Sequence, residues 1–153
     1  MNTNALFYKI FNRCITSEDY VPWAFNMLED DKDSVSLGIL SSFKSTNNIF
    51  EVEDYFYRTL KELNIQKPSY KEAALEYICY LARKIVTCEL DAIETAETIF
   101  HIACDLDNPE ELEAWLDISD KIDEFKYTEN RSSLRRAILI LDIVGEAKRT
   151  INK

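Results

Sequence analysis

Glu97, His101 and Cys104 stand at i, i+4 and i+7, a spacing that places three metal-ligating side chains near one face of a helix. The trio has no fourth ligand. His101 is the only histidine in the chain, which removes zinc sites built on several imidazoles and the two-histidine di-iron site of helical bundles. His101 is therefore read as a polar or core histidine, and no metal is assigned. A Ser-His-Asp or Cys-His arrangement would need the same residue, and no nucleophile elbow accompanies it. The two glycines, Gly38 and Gly145, stand alone within helical patterns and cannot build the loop whose amides cradle phosphate. The expectation is a protein with no catalytic residues and no cofactor.

What the sequence does concentrate is carboxylate. Of its net charge of −10, the stretch from residue 89 to 124 carries thirteen acids against one base, Lys121, and the rest of the chain is close to neutral. Glu110, Glu113, Asp117, Asp120 and Glu124 follow one another at steps of 3, 4, 3 and 4. On a helix starting at Pro109 they would project within a sector of roughly 80° and form a ridge about 21 Å long. Leu112, Trp115, Leu116, Ile118, Ile122 and Phe125 would occupy the rest of the helix and bury. Like charges at these spacings each cost a helix roughly 0.2 to 0.5 kcal/mol, so the ridge does not serve its own helix. Glu110 and Glu111 recover part of this at the positive helix start, whereas Asp120 and Glu124 do not. Two readings follow: a solvated face, or a docking surface for a basic partner drawn in by focused charge.

The aromatic cluster Phe50, Tyr55, Phe56 and Tyr57 is interleaved with Glu51, Glu53 and Asp54. Stacking platforms for nucleic acid pair aromatics with Lys or Arg, and carboxylates would repel phosphate, so the cluster is expected to pack in the core with its tyrosine edges at the surface. The four cysteines, Cys14, Cys79, Cys88 and Cys104, form no Cys-x-x-Cys pair and are expected to act as small core residues.

The elements that must hold the ridge are helices. Two glycines and three prolines leave few sites for the turns of a many-stranded protein. Capping-box spacings occur at Asn48 and Glu51, Ser69 and Glu72, Asp91 and Glu94, and Asn108 and Glu111, with Pro109 at a first helical position. Apolar residues then recur with helical period: Ile49, Val52, Phe56, Leu60 and Leu63; Ala73, Ala74, Tyr77, Ile78, Leu81, Ile85 and Val86; Ile93, Ala96, Ile99, Phe100 and Ala103; and Leu134, Ala137, Ile138, Leu141 and Val144. Residues 4 to 15, 18 to 31 and 35 to 44 read as three shorter helices, with Ser17 and Ser34 as caps and Pro22 in a first turn. The fold predicted is all-α: residues 1–153 as a single helical domain of about eight helices, either an irregular bundle or stacked helical hairpins. Neither a signal peptide nor an apolar run of membrane-spanning length is visible, which points to a cytoplasmic protein.

Three stretches resemble a group of small helical bacterial proteins: Phe50 to Phe56 with Arg58, Leu60 and Glu62-Leu63; Tyr77 with Leu81 to Ile85; and Pro109 to Leu112. The closing Glu146 to Arg149 is similar as well, so the resemblance spans about residues 50 to 150. That group carries no catalytic motif. In size, acidity and helicity the chain is also distantly similar to immunity proteins of contact-dependent and polymorphic toxin systems, which implies capture of a cognate, often basic, toxin.

The functional expectation is a non-enzymatic protein-binding protein that neutralises a basic, nuclease-like toxin, with no role for nucleic acid or membrane. Its partner-binding residues would be Asp105, Asp107, Glu110, Glu113, Asp117, Asp120 and Glu124. The alternative is a structural or regulatory adaptor that holds its partner in an apolar groove between helices.

Overall fold

In the computed structural model, residues 1–44, 48–128 and 132–152 are described. They form eight α-helices and no strand, so the chain is all-α. In chain order these are α1 (Thr3–Phe11), α2 (Ser17–Glu29), α3 (Val35–Ser41), α4 (Ile49–Glu62), α5 (Tyr70–Val86), α6 (Ala92–Asp105), α7 (Glu113–Tyr127) and α8 (Ser133–Ile151). The helices gather into two compact units, residues 1–77 and 78–153, and α5 runs from the first into the second. No helix among the described residues is long and apolar enough to cross a membrane.

The helix starts follow the capping chemistry of the sequence at four of the six expected caps, Ser17 and Asn108 being the exceptions. Ser69 and Glu72 form a reciprocal box: Glu72 takes the Ser69 amide at 2.8 Å, and Ser69 Oγ accepts the Glu72 amide at 3.3 Å. Asp91 accepts from the amides of Ile93 and Glu94, and Asn48 from that of Phe50. Ser34 caps α3, as expected, but α2 is capped by Thr16 with Asp19, one residue before Ser17. Pro22 consequently lies inside α2, beyond its first turn.

The second exception is Asn108. Its φ of 49° puts it in the left-handed region, whereas an N-cap needs extended backbone, and its amide is already bonded to Ala103 O at 2.9 Å to close α6. The chain after Pro109 therefore makes a 3₁₀ turn, Glu110–Leu112, and α7 begins only at Glu113.

That closure recurs. At the ends of α1, α2, α4, α5 and α6 the pair of backbone bonds of a Schellman motif is present, with Arg13, Asp31, Asn64, Cys88 and Asp107 in the left-handed conformation. Glycine normally fills this position; with two glycines in the chain, side-chain-bearing residues do so here.

In the first unit the core centres on Phe56. Its ring lies 5.7 Å from Phe7, 5.0 Å from Tyr20 and 4.9 Å, edge on, from Trp23. Phe56 alone of the aromatic cluster is buried. Phe50 is 76% exposed and Tyr57 is exposed too, because they stand on the far side of α4 from Val52, Phe56 and Leu60. Glu62, at the end of α4, accepts the amide and hydroxyl of Ser36 at 3.0 and 2.6 Å and so supplies a partner to the first turn of α3.

In the second unit Ile78, Leu81 and Ile85 of α5, Ile93, Ile99 and Ile102 of α6, Trp115, Ile118 and Ile122 of α7 and Leu139 and Ile143 of α8 are buried. The cysteines are not core residues: Cys14, Cys88 and Cys104 are exposed, Cys79 is half-buried, and none of the four is in a disulfide. Cys14 and Cys88 fall at helix ends, where the chain turns at the surface.

Candidate partner-binding face

Helix α7 turns Trp115, Ile118 and Ile122 inward, and this fixes what points outward. Glu113, Asp117, Asp120 and Glu124 are exposed, as the spacing required. Glu110 belongs to the 3₁₀ turn and not to α7, so the helical part of the ridge runs from Glu113 to Glu124, about 16 Å. Residues i and i+3 eclipse in a 3₁₀ turn, which keeps Glu110 in line with Glu113. Asp105 and Asp107 are exposed at the end of α6 and in the turn behind it, outside α7.

The thirteen acids of residues 89–124 divide by their partners. Glu89 is paired with Lys84 of α5, Glu97 with Lys126 of α7, and Asp91 with Arg136 of α8 at 3.3 Å. Hydrogen bonds from Lys84 and Thr87 hold Glu89 below the usual carboxylate range, and the bond to Glu97 holds Lys126 above the usual ammonium value. Asp105, Asp107, Glu110, Glu113, Asp117, Asp120 and Glu124 have no ion-pair partner among the described residues. Glu94 is likewise exposed and without an ion pair among the described residues, so most, not all, of the uncompensated charge lies after residue 104. The one base of the segment, Lys121, faces α8 and pairs with Asp142 at 2.6 Å.

Helix α8 contradicts the sequence expectation most directly. Its buried side is Leu139, Ile143, Glu146, Ala147 and Thr150. Of the residues expected to bury, Leu134 is 69%, Ile138 52% and Leu141 70% exposed, Ala137 is exposed and Val144 half-buried. The run Ile138-Leu139-Ile140-Leu141 is apolar on every side, so periodicity could not decide which stripe faces the core. The core accepts the stripe with Glu146, whose carboxylate is satisfied by Arg149 at 2.8 Å.

The outward stripe of α8 and the ridge of α7 meet in two clefts. One, of about 200 Å³, is lined by Glu124, Phe125, Ile138 and Leu139 with Lys121, Arg135 and Asp142. The other, of about 250 Å³, is lined by Asp117, Ile118, Leu141, Gly145 and Glu146 with Ala114, Lys121, Asp142 and Arg149. Asp117 and Glu124 are thus brought beside Leu141 and Ile138, a juxtaposition of elements that neither helix predicts alone.

Glu97, His101 and Cys104 do not assemble. Glu97 is turned to Lys126, and among the described residues no group of three or more His, Cys, Asp or Glu side chains is placed to hold a metal ion. Comparison with protein families, with curated proteins and with solved structures found no match to this chain.

Proposed function

We propose that this chain is a non-enzymatic binding protein that captures a basic protein on the α7 ridge, as an immunity-type inhibitor covers the cationic surface of a nuclease-like toxin. The observation that carries the reading is the division of the acidic segment. Glu89, Asp91 and Glu97 are neutralised by bases from neighbouring helices, whereas Asp105, Asp107, Glu110, Glu113, Asp117, Asp120 and Glu124 are exposed and have no ion-pair partner among the described residues. Leaving them so costs α7 stability through like-charge repulsion, and focused negative charge of this kind speeds encounter with a cationic protein.

The test is binding to the basic domain encoded by the adjoining gene, measured across a salt titration. Affinity should fall as salt rises, mainly through slower association, and Asp117→Lys with Asp120→Lys should abolish capture without loss of helicity. Unchanged affinity in the double variant would sink the reading.

A second reading is favoured by Leu134, Ile138 and Leu141: an adaptor that holds its partner by the exposed apolar stripe of α8, with the ridge serving only hydration. It expects binding that is insensitive to salt.

A further inference from the structure

We infer that the α7–α8 groove receives an amphipathic basic helix, with its apolar stripe on α8 and its Lys and Arg flank along α7. This rests on the ridge being a partner-binding face, and adds the form of the partner. Leu134, Ile138 and Leu141 are exposed at i, i+4 and i+7, a stripe about 10 Å long with the helical period that another helix's side chains interleave with. Beside it, Glu124 shares a cleft with Ile138, and Asp117 shares one with Leu141, so carboxylates of α7 stand beside the apolar stripe of α8 over the same two turns, with the Lys121–Asp142 pair lining both clefts.

Charge complementarity selects the occupant. Lys121, Arg135 and Arg149 also line the groove, but Lys121 is held by Asp142 and Arg149 by Glu146. Among the described residues that line the groove, Asp117 and Glu124, with Asp120 and Glu113 on the same ridge, are left against Arg135. A second copy of α8 fits poorly: it would bring its own Arg135, Arg136, Lys148 and Arg149 together with a second acidic ridge, on a chain of net charge −10. A helix with apolar residues at i, i+3, i+4 and i+7 and bases on one flank matches both walls, as in other helix-in-groove complexes.

The experiment uses the full chain and two labelled synthetic peptides, an 18-residue Leu/Lys sequence with Leu at helical spacing and a shuffled sequence of identical composition, both read by fluorescence anisotropy. The amphipathic peptide is expected to bind at least ~10-fold more tightly than the shuffled one, because burial of even one aliphatic side chain is worth about that factor. Ile138→Gln with Leu141→Gln, both at exposed positions, should lower its affinity at least ~10-fold, while Asp117→Asn with Glu124→Gln should weaken it and flatten its salt dependence. Equal binding of the two peptides, or no binding of either, overturns the inference, and the ridge reading is then decided by the adjoining-gene experiment alone. Binding that Ile138 and Leu141 govern but that ignores Asp117 and Glu124 overturns both, in favour of a purely apolar groove.

Discussion

The indole Nε1 of Trp115 donates to Thr150 Oγ at 3.1 Å inside the second unit, and this buried bond joins α7 to α8 at the end of the groove where Asp117 faces Leu141. Together with the buried apolar side chains of α7 and α8, it holds the rotation of both helices, and with it the placing of the ridge and the stripe. Replacing Thr150 by Val keeps the shape but leaves the indole N–H without an acceptor, a loss of about 1 to 3 kcal/mol. Urea unfolding followed by tryptophan fluorescence should show a lower midpoint, and an unaltered one would mean that this bond does not hold the pair.

Cys88 closes α5 in the left-handed conformation at φ 56°. A residue with a Cβ pays a steric cost there that glycine escapes, offset in part by the greater freedom of glycine in the unfolded chain. Cys88→Gly should therefore stabilise the protein by roughly 0.5 to 1 kcal/mol, read from the thermal midpoint. A lower midpoint would show that the Cys88 side chain contributes more than its backbone costs.

Asp120 faces Asp117, Asp123 and Glu124 at helical spacings, and it has no ion-pair partner among the described residues. Removing its charge with Asp120→Asn should raise stability by a few tenths of a kcal/mol, more at low salt than at high salt. The same variant should slow association with a basic partner. Stabilisation joined to weaker binding is the mark of a charge retained for recognition, and it is measurable by melting and by stopped-flow mixing.

Glu62 is held below the usual carboxylate range by hydrogen bonds from the hydroxyls of Ser36 and Ser34 and the amide of Ser36. Because its folded value is depressed, its contribution to the α3–α4 contact is complete above the ordinary value near 4.5 and is lost as pH falls through the folded value. Circular-dichroism melts of the parent and of Glu62→Gln between about pH 6 and about pH 3 should converge on the acid side. A constant gap between them would show that Glu62 acts without its charge.

Much of this was legible in the chain. The caps at Ser34, Asn48, Ser69 and Asp91 bond to amides within one turn, so residue type and spacing suffice to place them. The same holds for the exposure of Glu113, Asp117, Asp120 and Glu124, because Trp115, Ile118 and Ile122 leave α7 only one way to face. Asn108 was not legible as a failed cap, since its backbone is already committed to closing α6, and that depends on how the preceding helix ends.

By itself the sequence determined that the protein is helical, where most of its helices begin, and that one face of α7 carries carboxylates, because each of these is fixed within a few residues along the chain. The tertiary structure decided which of two apolar stripes on α8 is buried, which acids keep their charge uncompensated, and that Asp117 and Glu124 lie beside Leu141 and Ile138. These outcomes rest on packing and on ion pairs between residues 29 to 45 positions apart, such as Lys126 with Glu97 and Arg136 with Asp91, which no local pattern encodes.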